Sequence, residues 1–228
     1  MNGRAEVSVE RGALVIKIHD RKGIHTNTET IPLTAGQRAD LAERLLAENA
    51  RAQNMRITPE GIKLLKALEG SVTRSGRHVV YDDGTGAPIT DIPIGGATIG
   101  HGHLLKDGEA FPNGLSEDEA TALLRSDLAW AEKMVDDTIT RPMTAQQFDA
   151  WVIHGFNLGQ YNFTVRASSV KAFNAGRAGE VPARMQLWDK ALLANGTTVK
   201  SPGLVRRRAA TSALFVNGYE AAWKQWRS

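Results

Sequence analysis

The sequence predicts an α+β protein, and three observations carry that prediction. Apolar residues alternate in strand fashion only over residues 1 to 33. From Thr34 onward they recur at helical spacing behind recognisable capping signals. The composition, 42% hydrophobic and 23% charged over 228 residues, is globular and allows one medium domain with a small appendage.

Taken in order, Val7 and Val9, then Leu14, Ile16 and Ile18, then Ile24 form the alternating set, and turns at Arg11-Gly12 and Lys22-Gly23 join them into an antiparallel meander. Thr34 and Gln37 then make a capping box for a helix whose apolar face is Leu41, Leu45 and Leu46. Residues 1–56 thus read as a small β-meander plus helix whose own core is marginal, and residues 57–228 as the main domain. His19 and His25 read as solvated strand residues, because no second ligand pair stands at a useful spacing.

Met55 to Pro59 is the join, with Thr58 as cap and Pro59 as first turn of a helix ending at Glu69. Ile62, Leu64, Leu65 and Leu68 form its buried side. A Gly-spaced run, Thr98-Ile99-Gly100-His101-Gly102-His103, reads as a strand. Ser116 and Glu119 box the start of a long helix running to Asp137, with Ala120, Leu123, Leu124, Leu128 and Met134 inward. Arg141-Pro142 breaks it. Thr144 and Gln147 cap the next helix, whose Phe148, Trp151, Val152 and Phe156 suit a central buried place. Helical segments are expected over Ser169 to Ala175, Val181 to Leu193 and Leu204 to Trp226.

The composition also excludes. There is no cysteine, so disulfide frameworks and Cys-based zinc or redox sites are absent and the core must hold the fold. No run of 18 apolar residues exists, and MNGRAEVSVERG carries charges where a signal peptide needs an apolar stretch; neither membrane insertion nor signal-directed export is expected. A net charge of +3 suits an anionic polymer. Apart from Arg206-Arg207-Arg208 the basic residues are scattered, and without a recognisable nucleic-acid motif no nucleic-acid partner is expected.

The chemistry concentrates between Glu69 and His103. Cleaving a glycosidic bond needs one carboxylic acid to protonate the departing oxygen and one carboxylate to activate water or stabilise a cationic sugar. A glutamate leaving an apolar helix is half-buried and holds its proton; an aspartate in a Gly-rich loop stays ionised. That makes Glu69 the acid and Asp83 the carboxylate. Taken alone, a Glu at a helix end and an Asp-Gly pair are more often a solvated charge and a turn.

At these residues the chain resembles phage-type lysozymes (muramidases, endolysins) of glycoside hydrolase family 24. The pattern EG, Y-x-D, T-I-G-x-G-H reads here as Glu69-Gly70, Tyr81-Asp82-Asp83 and Thr98 to His103, followed by QQFDAWVIHGFNLG (Gln146 to Gly159), GLVRRR (Gly203 to Arg208) and ALFVNG (Ala213 to Gly218). The resemblance spans Ile57 to Ser228. It implies a lysozyme-like fold, with a small mixed lobe, a mainly helical lobe and a cleft between them. The implied activity is hydrolysis of the β-1,4 bond between N-acetylmuramic acid and N-acetylglucosamine in bacterial peptidoglycan, without metal or cofactor, for wall lysis by a phage or prophage. Glu69, Asp83 and Thr98 are its catalytic residues, with Tyr81, Gly100, His101, His103, Asp127, Asn157 and Arg207 binding substrate or supporting the site. Asp127 is implied as the partner of His103, and Arg207 as the cleft-facing arginine, found by counting back from Phe215.

The Glu69–Asp83 and Asp83–Thr98 connections are longer than in compact members of that family. Closure entropy grows slowly with loop length, so the groups can still meet, but Asp82 or Asp91 can take the place of Asp83, which is preferred for keeping the Y-x-D spacing. His101 and His103 are not read as metal ligands, because alternate residues of a strand share a face but lack a third donor. The expected location is the host bacterial cytoplasm before release to the wall, or the virion, with residues 1–56 binding the wall or a virion component. Two other functions fit the sequence: a non-catalytic peptidoglycan-binding or virion module, and a lytic transglycosylase, which needs the Glu but not the Asp.

Overall fold

The computed structural model describes residues 4–10, 13–19, 25–32, 34, 36–37, 40, 55–89, 97–193 and 196–228. Two compact units divide the chain, Met1–Ala52 and Gln53–Ser228. In the first, β1 (Arg4–Glu10), β2 (Ala13–His19) and β3 (His25–Pro32) form an antiparallel sheet in that order, with Val7 opposite Ile16 and Val9 opposite Leu14. The Thr34 amide and hydroxyl both donate to the Gln37 side chain at 3.0 Å, and the Gln37 amide donates back to the Thr34 hydroxyl. The turns at Arg11-Gly12 and Lys22-Gly23, Ile24, the Leu41, Leu45 and Leu46 face, and Asp91 lie outside the described residues.

The second unit begins with a segment tied to its core. The Ile57 amide and the Arg56 guanidinium both donate to Glu132. Helix α1 (Pro59–Glu69) follows, with Thr58 capping the Gly61 amide, Pro59 in its first turn and Ile62, Leu64, Leu65 and Leu68 buried. At Gly61 it approaches the next-but-one helix so closely that a side chain would collide with Asp149 and Ile57. Gly70, at φ +70°, ends it in a backbone conformation that favours glycine.

The small lobe consists of a two-residue-strand hairpin, β4 (Thr73–Arg74) with β5 (Arg77–His78), and a three-stranded sheet of β6 (Tyr81–Asp82), β7 (Ala97–Ile99) and β8 (His103–Leu104). Here the structure departs from the expected Gly-spaced strand. Gly100 and Gly102 take φ of +64° and +91°, so the chain reverses between β7 and β8. His101 sits on the turn and His103 on the returning strand, and the two do not share a strand face.

The helical lobe packs α2 (Glu117–Thr138), α3 (Ala145–Leu158), α4 (Ser168–Asn174), α5 (Val181–Gln186), α6 (Pro202–Asn217) and α7 (Tyr219–Arg227) around one apolar core. Both expected capping boxes are complete, at Ser116/Glu119 and Thr144/Gln147. Trp151 of α3 stands at the centre, fully buried, with Phe163, Phe173 and Phe215 around it at ring separations of 5.4 to 5.9 Å. Phe156 instead lies at the rim, half-buried and stacked on Trp130.

Two helix expectations are corrected. The segment expected from Val181 to Leu193 ends at Gln186: the Leu187 and Trp188 amides bond three residues back, tightening the last turn, and Lys190–Leu192 then pairs with Thr198–Lys200 as the hairpin β9–β10. The β-branched run Thr197-Thr198-Val199 favours that hairpin. The segment expected from Leu204 to Trp226 is two helices, broken where Gly218 takes φ +93°.

Candidate active site

Glu69 is the last residue of α1, and helix geometry dictates its setting. The chain leaves the helix at Gly70, while the Glu69 side chain turns inward toward α6, where the Arg207 guanidinium donates to its Oε1. Arg207 is 9% exposed and Glu69 16%, so the pair is largely withdrawn from water while the Glu69 carboxyl keeps an opening. Burial pushes the Glu69 carboxyl above the usual range; Arg207 and then Arg208 pull it down, Asp83 adds to the rise, and the balance is upward. The macrodipole acts in the same direction, since a negative charge at a helix C-terminus is disfavoured.

Asp83 lies on the exposed turn after β6 and adds its charge to the fields at both Glu69 and Tyr81. Tyr81 is buried, and burial followed by those two carboxylates raises its hydroxyl above the ordinary value. Thr98, opposite Tyr81 in the β6–β7 pairing, is 2% exposed. Glu69, Tyr81 and Asp83 thus lie close enough to feel one another's charge, and Thr98 faces Tyr81 across the strand pair. Asp82 does not join them. Its carboxylate accepts from the Thr85 amide at 2.7 Å and hydroxyl at 2.8 Å, bonds that hold it below the usual carboxylate range.

Of the supporting residues, Gly100 packs where a side chain would meet Ala120, and a Cβ on Gly102 would lie 3.9 Å from Glu69 Oε2. The ring of His101 places Nδ1 3.3 Å from the Gly70 carbonyl. The His103 ring has Nδ1 2.9 Å from Asp127 Oδ2 and Nε2 2.9 Å from Glu109, a second partner that the sequence reading lacked. Burial alone lowers its pKa, but the bonds to Glu109 and Asp127 outweigh that and raise it. Asn157 accepts from Arg208, not from Arg207.

Arg208 is the main residue that sequence reasoning missed. It is 2% exposed, donates from Nε to the Trp188 carbonyl at 2.9 Å, and is pushed down to about 10 by burial and by Arg207. Beneath the two guanidiniums His154 is fully enclosed, and burial followed by Arg208 and Arg207 holds it neutral. The expectation of one cleft-facing arginine rested on the family resemblance, counted back from Phe215. Because α6 packs on α3, α5 and α7, its buried arc is wide enough for two consecutive positions, and only Arg206 turns outward, over the Trp226 ring.

The residues Arg74, Arg77, Val79, Ile89, Leu105 and Phe111 line a cavity of about 530 Å³ that does not include Glu69. None of the candidate residues lines it, so the cluster at Glu69 carries the functional reading.

A family model described as phage lysozyme matches residues 77–211. The endolysin of Acyrthosiphon pisum secondary endosymbiont phage 1 is 31% identical over 163 residues, 71% of this chain and 98% of that relative. The endolysin of Salmonella phage P22 is 30% identical over 171 residues, 72% of this chain and 99% of its own length. Among solved structures, the endolysin from Escherichia coli O157:H7 phage FAHEc1 is similar with a TM-score of 0.60 and 26% identity, covering 72% of this chain and 94% of that one. The muramidase domain of SpmX from Asticaccaulis excentricus is similar with a TM-score of 0.58 and 29% identity, covering 72% and 99%.

Proposed function

The chain belongs to the phage lysozyme family, and from that membership we propose that Glu69, Asp83 and Thr98 cleave the β-1,4 bond between N-acetylmuramic acid and N-acetylglucosamine. The protein is a glycoside hydrolase of the lysozyme type that degrades peptidoglycan. The observation that carries the residue assignment is a half-hidden carboxyl held above its usual pKa although a guanidinium touches it. A raised pKa favours the protonated form, which can deliver its proton to the glycosidic oxygen. Arg207 fixes the direction of the carboxyl while Oε2 remains without a hydrogen bond among the described residues. After proton transfer the guanidinium also steadies the carboxylate.

Asp83, outside the buried pocket, supplies the negative charge that the oxocarbenium-like transition state needs. The Thr98 hydroxyl is suited to orient a water for the second half of the reaction. Neither role needs a metal. Product analysis tests the scheme: a new reducing end is expected from purified wall, whereas a 1,6-anhydro product would mean transglycosylation, and no product would mean a binding module.

The endolysin names of the relatives support a host-cytoplasmic protein that reaches the wall after release. Among the described residues no helix is long and apolar enough to cross a membrane. Residues 1–56, largely a separate unit, fit an attachment role toward the wall or a virion component. Wall sedimentation of the Glu69→Gln chain with and without those residues tests it, and equal binding would remove that role.

A further inference from the structure

A second constellation sits on the far side of Gly70 from the acid, assembled from residues that no single stretch of sequence brings together. His78 ends β5, His101 lies on the β7–β8 turn, and Glu117 opens α2. His78 and His101 are 2% and 7% exposed, their rings edge-on at 4.9 Å. One ligand atom from each of the three residues lies within 4.8 Å of the others.

The proton arrangement makes this more than a crowd of polar groups. The Gly70 carbonyl accepts only, so the hydrogen bond at 3.3 Å requires His101 to carry its proton on Nδ1. Its Nε2 then presents a lone pair into the buried space and has no hydrogen-bond partner. The group facing it, Glu117 Oε1 at 3.5 Å, is an ionised carboxylate oxygen that also has only lone pairs. A buried imidazole lone pair facing a carboxylate oxygen defines a place for a cation. An imidazole whose second nitrogen is held by a backbone carbonyl is the usual arrangement of a metal-ligating histidine. His78 Nε2 stands 2.7 Å from Glu117 Oε2 and supplies the third donor once its proton moves to Nδ1, a shift that metal binding must drive because Nδ1 is buried without an acceptor.

We propose that His78, His101 and Glu117 form a binding site for a divalent transition metal of the Zn²⁺ class. Two imidazoles and one carboxylate suit a tetrahedral ion with water in the fourth position, and they do not suit Mg²⁺ or Ca²⁺, which demand oxygen donors. Ligand atoms at about 2.0–2.2 Å from zinc stand closer together than 4.8 Å. Glu117, whose side chain is 58% exposed, can turn to meet the ion once Lys66 lets go of it. In the metal-free protein Lys66, from the last turn of α1, holds Glu117 Oε1 at 2.5 Å. The ammonium is thus a built-in competitor for the carboxylate. When the ion binds, Lys66 swings outward as an ammonium and the three ligands release no proton, since the His78 proton only moves between its ring nitrogens. The ion ties the β4–β5 hairpin, the turn beside Glu69 and α2 into one assembly.

The test uses the full-length protein stripped with chelator and titrated with Zn²⁺ in a thermal-unfolding assay, with Co²⁺ as a spectroscopic probe. One equivalent of Zn²⁺ is expected to raise the melting temperature, and Co²⁺ to give the visible absorption of a tetrahedral nitrogen-oxygen site. His101→Gln and Glu117→Gln should each weaken binding roughly tenfold or more, while Lys66→Met should strengthen it. Glu69→Gln should bind as wild type does, which separates this site from the catalytic reading. Absence of binding to both wild type and Lys66→Met would overturn the proposal. So would stoichiometric binding that survives His101→Gln or is lost only in His103→Gln.

Discussion

The two ends of α1 each meet a carboxyl group withdrawn from water. At the N-terminal end Asp149, reaching across from α3, accepts from the Thr58 amide at 3.0 Å, the Thr58 hydroxyl at 2.5 Å and the Tyr219 hydroxyl. At the C-terminal end Glu69 accepts, among the described residues, from Arg207 alone. Burial raises both pKa values against the bonds that oppose it. What separates them is spare capacity: the lone pairs of Asp149 are spoken for, and Glu69 Oε2 is not. A saturated buried carboxyl is a clamp between helices. One with an oxygen to spare is a reagent.

The largest effect should come from exchanging the two phenotypes. Glu69→Gln, which keeps the shape and removes the transferable proton, is expected to lose several powers of ten in turbidity-clearing activity with the fold intact. Asp149→Asn should keep its rate per folded molecule and instead lose about 1–3 kcal/mol of stability in denaturant unfolding. The pH dependence has a definite sign. Asp149 is raised on folding, so its contribution is complete below the unfolded pKa and is lost as pH rises through the folded one; Asp149→Asn should flatten that decline. Near wild-type lysis by Glu69→Gln would break the comparison.

The same contrast recurs one residue apart at Asp82 and Asp83. Asp82 is committed to Thr85, so Asp82→Asn should cost a few-fold at most, whereas Asp83→Asn should cost roughly 10²–10⁴ in hydrolysis rate. The opposite order would move the carboxylate role to Asp82.

Arg207 and Arg208 sharpen it further. Removing Arg207 takes away a charge-assisted bond, about 1.5–3 kcal/mol, and with it an influence that lowers Glu69. Arg207→Ala should therefore lose about 10- to 100-fold in activity and shift the alkaline limb of the pH-rate profile, where the acid deprotonates, to higher pH. Arg206→Ala should be mild, and Arg208→Ala should act mainly through stability, because its bonds go to Asn157 and the Trp188 carbonyl. Equal activity losses for all three would remove Arg207 from the site.

The smallest effect concerns His103. Asp127→Asn should lower its pKa measured by NMR, but incompletely, because Glu109 holds the other ring nitrogen. His103 is raised on folding, so its contribution is present below the unfolded histidine pKa and fades as pH climbs through the folded value. An unchanged pKa would mean that Asp127 is a bystander.

What could be read in advance followed locality. Capping boxes at Thr34, Ser116 and Thr144, the Pro59 start and the apolar side of α1 depend on neighbours within a turn, and the structure has them. The end of α5 at Gln186 depends on a hairpin partner twelve or so residues on, and periodicity alone extended the helix too far. The break at Gly218 was written in the sequence as a glycine, but helical spacing on both sides masked it. Within the site, the acid followed from the helix end that bears it. Glu109, His78 and the burial of Arg208 needed the folded arrangement, because each is defined by a partner from another element.

Gly61 makes the placement of the acid a matter of leverage. The helix rests directly on Asp149 and Ile57 at that point, with no room for even a methyl group, and the reacting carboxyl lies roughly 12 Å further along the same rigid rod at 1.5 Å per residue. A shim inserted at the fulcrum tilts the far end. In the proposed mechanism the accuracy with which the proton meets its bond is thereby set about two turns of helix away from the carboxyl that carries it.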